Sequence, residues 1–169
     1  RINTIQPEIA GLSYKLLDDL KSNNVDILKG FATQLPVIVI ARLLGVPETM
    51  AQDLLSWSND MVMMYQARRT KELEIKANSS TKEFVSFMEK YIEEKRYKPE
   101  DDLISHLIAA EQAGEKLSKD ELISTCILLL NAGHEATVHT LGNGIKAILK
   151  HDKDRNYLSP KYILSLIHI

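Results

Sequence analysis

The sequence predicts an all-α protein, on three observations. Apolar residues recur at three- and four-residue steps along almost the whole chain, strand-like alternation is nearly absent, and two capping-box patterns precede apolar runs. No internal repeat, Gly/Ser linker or low-complexity stretch divides the 169 residues, so a single helical unit is expected.

Each element has its own signal. Ile5, Ile9, Leu12, Leu16 and Leu20 lay one apolar stripe along residues 4–22. Residues 26–44 form a second helical stretch, densely apolar from Phe31 to Leu44 and closed by Gly45, a natural terminator. Pro36 inside it should kink the helix or mark a restart. The run Val37-Ile38-Val39-Ile40 could also be a buried strand, but Ala41-Arg42-Leu43-Leu44-Gly45 continues in helical style. Pro47 suits a first helical turn and Glu48 its positive end; the helix over 48–65 carries Leu54, Leu55, Trp57, Met61 and Met64. Ser80-x-x-Glu83 could start or restart a helix through Phe84, Phe87, Met88, Tyr91 and Ile92. Residues 66–79 are then either a mobile connection or an early turn of that helix. Asp101 or Asp102 opens a short helix ending at Gly114. Ser118-x-x-Glu121 launches the longest helix, from about Lys119 to His151, on the order of 50 Å.

Bulk charge narrows the function. With 21 Lys+Arg against 23 Asp+Glu, the net charge of −2 gives no electrostatic case for nucleic acid or an anionic membrane. No apolar run approaches the roughly 20 residues a bilayer span requires. The single cysteine, Cys126, excludes an internal disulfide framework and fits a reducing compartment. No basic-then-apolar leader opens the chain at Arg1, so a cytoplasmic protein is expected.

The chemistry concentrates in "LLLNAGHEATVHTLGNG", residues 128–144. Polar groups buried there without partners would cost several kcal/mol, on the order of 2–7 each. His134 and His139 lie five apart, roughly 140° around a helix, and cannot share one metal as zinc-protease histidines four apart do. No metal ligand is expected here. Gly133 within a helix costs roughly 1 kcal/mol relative to alanine, so close backbone approach is the natural reason for it. Two occupants fit that notch: a flat ligand lying against the backbone, with Glu135 and a hydroxyl nearby, or simply a neighbouring helix, with Glu135 paired to an arginine from elsewhere.

The stretches "LPVIVIARLLGVPETMAQDLLSWSND" (35–60) and "PEDDLISHLIAAEQAGEKLSKDELISTCILLLNAGHEATVHTLGNG" (99–144), in this order, resemble a bacterial-type cytochrome P450. The resemblance runs from about Ile5 to Lys150. It implies an incomplete cytochrome P450 fold, with residues 1–150 supplying the family's middle helices, D to I, and a long central helix near 118–150. Haem (iron protoporphyrin IX) is then the implied cofactor, O2 and a small apolar molecule the substrates, and NAD(P)H the electron source through a ferredoxin or flavoprotein reductase.

By the same resemblance, Ala132, Gly133 and Ala136 shape the haem and oxygen pocket. Glu135 takes the place of the acid in the family's Ala/Gly-Gly-x-Asp/Glu-Thr motif, which helps deliver protons to the oxygen being activated. Ala136 departs from that motif, because many members carry threonine there. Thr137, about 100° further around the helix, is the candidate substitute. Met63, Met64 and Leu129, with Met61 and Tyr65, are candidate substrate contacts; methionines at such positions also serve as core fillers. Trp57 reads as a packing anchor.

The family ligates haem through a cysteine thiolate in a Gly-rich loop, which favours O–O cleavage. "TCILLLN" around Cys126 has no such loop, so Cys126 reads as a core residue and these 169 residues are expected to be inactive alone. Glu93-x-x-Arg96 matches the letters of the family's Glu-x-x-Arg pair but precedes the long helix, a coincidence. The tail 151–169 departs from the family pattern, and "LSLIHI" matches one reading frame of a common sequencing adapter; that tail is expected to be non-native, the alternative being an ordinary apolar terminus. The competing function is a self-contained helical ligand-binding or protein-interaction module.

Overall fold

The computed structural model describes residues 2–21, 24–112 and 117–150. Six α-helices occupy them: α1 (Ile2–Asp18), α2 (Gln34–Leu44), α3 (Ala51–Val62), α4 (Lys71–Tyr97), α5 (Leu103–Gln112) and α6 (Lys119–Lys150). A π turn, Leu28–Ala32, precedes α2, and short 3-10 turns, Glu48–Met50 and Met63–Tyr65, flank α3. Among the described residues there is no strand, so Val37–Ile40 is helical.

The second predicted stretch divides where Pro36 said it would. Pro36 is the third residue of α2, inside the first turn where a missing N–H costs nothing. The π turn ahead of it closes with Thr33 N–H on the Leu28 carbonyl at 2.9 Å. At the other end Gly45 takes a left-handed conformation, φ 86°. Gly45 N–H reaches the Arg42 carbonyl (3.1 Å) and Val46 N–H the Ala41 carbonyl (2.8 Å), which satisfies the last carbonyls of α2.

The two capping boxes fare differently. Ser118 and Glu121 cap α6 reciprocally: Glu121 accepts from Ser118 N–H at 2.7 Å, and Glu121 N–H donates to the Ser118 hydroxyl at 3.3 Å. Ser80-x-x-Glu83 caps nothing. α4 starts nine residues earlier at Lys71, where the Thr70 hydroxyl accepts from Leu73 N–H, and runs unbroken to Tyr97. Ser80 instead donates to Asp60 of α3 at 2.7 Å, and Glu83 accepts from the Trp57 indole at 3.2 Å. A helix already nucleated upstream does not need a second start, so the pattern was free for cross-helix contacts. Asp102, of the two candidate openers of α5, is the one that caps it, accepting from Ser105 N–H at 2.8 Å. The expected end at Gly114 and the whole tail from 151 lie outside the described residues.

α6 is the axis of the packing, touching α2, α3, α4, α5 and the π turn. Its inner face carries Leu122, Ile123, Cys126, Leu130 and His134 into the interior. The first four join Val37, Ile40 and Leu44 of α2, Leu54 and Trp57 of α3, and Phe84, Met88 and Ile92 of α4 in the main core. Trp57 is a packing anchor as expected, edge-on to Phe84 at 5.5 Å. A smaller cluster of Leu12, Phe31 and Leu35 ties α1 to the far half of α6 through Leu141 and Ile145. Tyr14 and Leu17 of α1, and Leu128, Ile148 and Leu149 of α6, remain exposed.

Two glycines predict opposite outcomes. A Cβ on Gly45 would sit 2.3 Å from the Asp102 side chain and force a left-handed alanine. Gly45→Ala therefore lowers unfolding free energy by at least about 1–2 kcal/mol. Gly11, inside α1 with nothing within 4 Å, gains about 0.5–1 kcal/mol as Gly11→Ala. Urea unfolding midpoints check both signs.

Candidate functional site

The middle of α6 is clamped on one face and bare on the other. Leu128, Ala132 and Ala136 are spaced four apart, with Glu135 beside them, so all four share one side of the helix. All four are exposed, and Leu128 is 65% exposed although it is a leucine in the middle of a long helix. The bare strip presents small or aliphatic groups flanked by one carboxylate.

Gly133 does not belong to that strip. A Cβ there would stand 3.0 Å from Ile40 Cδ1, so its missing side chain lets α2 pack close against α6. Gly133 thus admits the neighbouring helix α2, and the small residue on the outer face is Ala132. Thr137 also faces elsewhere, roughly 140° from Ala132. Its hydroxyl donates to the Gly133 carbonyl at 2.9 Å, a bond back into its own helix.

Glu135 has two neighbours. His139 Nε2 lies 3.8 Å from Glu135 Oε1, an exposed pair one turn apart on the same face. Among the described residues no arginine pairs with it. Glu135 also lines an open cleft of about 360 Å³ with Asn59, Asp60, Val62 and Met63 of the α3 end and Leu73 and Lys76 of α4. Across that cleft Lys76 pairs with Asp60 at 2.7 Å. Met63 thus meets Glu135 over open space. Met64, half-buried on the same turn, does not line the cleft; Met61 is buried in the core, and Tyr65 is exposed. Leu129 packs against the main core. Its neighbour Leu128 takes the open position, and the signal was available: 128, not 129, lies four before Ala132.

His134 is buried, and among the described residues neither ring nitrogen makes a well-formed hydrogen bond. Burial pushes its pKa below the ordinary value; the Glu135 charge and the Thr33 backbone offset this in part, and His139 adds to it. Asn131 is a second residue that sequence reasoning passed over. Its Oδ1 is buried with no hydrogen-bond partner among the described residues, and the signal was an amide set into "LLLNAG". Cys126 is fully buried, and burial pushes its thiol up to about 12, which keeps it protonated and inert as a ligand.

A planar apolar macrocycle fits the bare strip, because Ala132 and Ala136 let it approach the helix and Leu128 extends the apolar wall. An axial ligand does not come from the same residues. Among the described residues no group of three or more His, Cys, Asp or Glu could hold a metal ion.

Comparison with known proteins decides the family. The cytochrome P450 family model matches residues 37–154. The chain belongs to the cytochrome P450 family. It is 42% identical over 154 residues to the polyketide biosynthesis cytochrome P450 PksS of Bacillus subtilis (strain 168), covering 90% of this chain and 37% of that protein. Among solved structures it matches a myxobacterial cytochrome P450 in complex with myristic acid, with a TM-score of 0.84 and 32% identity over 92% of this chain and 38% of that one. It also matches a Mycobacterium smegmatis P450 with econazole bound, with a TM-score of 0.79 and 34% identity over 88% of this chain and 38% of that one. The fold is therefore an incomplete all-α P450 fold, spanning well under half the length of these relatives. Among the described residues no helix is long and apolar enough to cross a membrane.

The buried imidazole gives a pH prediction. Because folding depresses the His134 pKa, the unfolded chain binds the extra proton first as pH falls. Stability contributed by neutral His134 is full above its ordinary value of about 6.5 and is lost progressively below it. His134→Leu should flatten the change in urea midpoint between about pH 7 and pH 5, while the parent shows a clear drop.

Proposed function

We propose that the protein carrying this chain is a haem-thiolate monooxygenase, with residues 1–150 forming an internal part of its domain and α6 forming the oxygen-side wall. The open Leu128–Ala132–Ala136 strip, with Glu135 on its edge, carries this reading. The strip suits the oxygen side of haem, while the thiolate comes from a segment other than Cys126. When bound, haem supplies O2 activation, so that one oxygen atom enters a C–H bond and the other leaves as water.

This chain's residues do the rest. Leu128 and Ala132 line the wall with carbon and exclude water. Glu135 faces the open cleft, where its carboxylate takes up protons from solvent and hands them inward. Ala136 has no hydroxyl to continue that transfer, and the Thr137 hydroxyl is bonded to the Gly133 carbonyl. The last proton step therefore uses ordered water or a hydroxyl of the substrate. Met63, across the cleft from Glu135, is the substrate contact best placed on α3 and its end. The PksS relative is named for polyketide biosynthesis and a structural match holds myristic acid, which supports a mainly apolar substrate. Electrons come from NAD(P)H through a ferredoxin or flavoprotein reductase, and the protein works in the cytoplasm. A self-contained binding module explains less: it gives the strip an apolar ligand but does not account for the cytochrome P450 family match over residues 37–154.

The test is the reduced, CO-bound spectrum. The full-length protein should give a thiolate-type Soret band that survives Cys126→Ser; this 169-residue chain supplied with haem should not give one. Loss of the full-length band, or its dependence on Cys126, overturns the reading. Glu135→Gln should lower turnover roughly a hundredfold with the substrate-binding spectrum unchanged. Ala136→Thr should raise the fraction of NAD(P)H consumption that ends in product.

A further inference from the structure

Among the described residues, the buried side-chain polar atoms without a hydrogen-bond partner all belong to Ser58, Asn131 and His134. These residues come from only two helices, α3 and α6, which pack directly on each other. Helical period shows where each one points. On α3, Trp57 and Asp60 pair with Glu83 and Ser80 of α4, and Gln52 donates to Gln34 of α2 at 3.0 Å. Ser58 lies roughly 100° from Trp57, 160° from Asp60 and 120° from Gln52. It is fully buried, so its remaining direction is towards α6. On α6, Gly133 faces α2, and Asn131 stands roughly 160° from it. Asn131 is one turn before Glu135, which lines the cleft with the end of α3. His134 falls between these two directions, roughly 100° from Gly133 and 60° from Asn131.

The Ser58 hydroxyl also differs from others within these helices. Ser13, Thr81, Thr125, Thr137 and Thr140 each donate to the carbonyl four residues back, at 2.7–2.9 Å. Ser58 makes no such bond and keeps its proton for a group outside its own helix.

The chemistry of the set names the occupant. Asn131 Oδ1 only accepts. The Thr33 backbone favours an N–H on one side of the His134 ring, which leaves the other nitrogen of the neutral imidazole as an acceptor. Two buried acceptors and one hydroxyl, none of them charged, match the two protons and the lone pairs of water. A metal ion or an anion would find no charge there to balance its own. A buried water makes about three hydrogen bonds, the number offered here. We propose that one ordered water bridges α3 to α6, accepting from Ser58 and donating to Asn131 and His134. It sits behind the face of α6 that carries Glu135 and offsets the cost of burying the three groups.

The test uses the full-length protein. A high-resolution crystal structure should show one water about 2.5–3.2 Å from Ser58 Oγ, the Asn131 amide and a His134 ring nitrogen. A dry seam, a water that misses any of the three, or Ser58 bonded directly to Asn131 or His134 overturns the site. Urea unfolding gives an independent arm. Ser58→Ala should lower the midpoint in the parent, but by less or not at all in an Asn131→Leu background, where the water is already lost. An equal or larger shift in that background overturns the shared water. Both arms read packing alone, so their failure is distinct from failure of the monooxygenase reading.

Discussion

Close contact between α2 and α6 governs the arrangement of this chain. At Gly133 the two helices approach so tightly that a methyl group would press on Ile40. That contact fixes which face of α6 is inner and which is outer. With Ile40 against Gly133, the buried stripe of Leu122, Cys126, Leu130 and His134 follows by helical period, and Leu128, Ala132, Glu135 and Ala136 must face out. The site is thus a by-product of the packing on the opposite side of the same helix. Four-residue spacing then lines the outer groups up in a row.

Much of this was written in the chain. Helix period, the Ser118–Glu121 cap and the Gly45 terminator are local signals, and each acts through backbone groups within a few residues of itself. Pro36 marked a restart for the same reason. The family resemblance was equally legible, carried by the order of 35–60 and 99–144. Illegible features all depend on a partner helix. Ser80 and Glu83 look like a cap until α3 offers Asp60 and Trp57. Gly133 looks like a ligand notch until Ile40 arrives. Leu128 and Leu129 look alike until one of them finds the core and the other does not.

The buried polar groups divide into two kinds. Lys95 and Asp102 satisfy each other, with burial opposing the lysine charge and the Asp102 and Glu100 bonds holding its pKa above the ordinary range. His134 and Asn131 carry polar atoms without well-formed bonds, at a cost of about 1–3 kcal/mol for each unsatisfied group. Both of these residues sit within one turn of Ala132, while Ser58 of α3 carries a further buried hydroxyl with no hydrogen-bond partner among the described residues.

The central claim is that the outer strip of α6 is the wall on which a haem lies while Gly133 keeps to its packing role. A crystal structure of the haem-loaded, full-length protein measures this directly. The account predicts Leu128, Ala132 and Ala136 within about 4 Å of the macrocycle or its bound ligand, with Glu135 at the edge and Ile40 still against Gly133. Protein side chains covering that strip, with the macrocycle bound elsewhere, would contradict it.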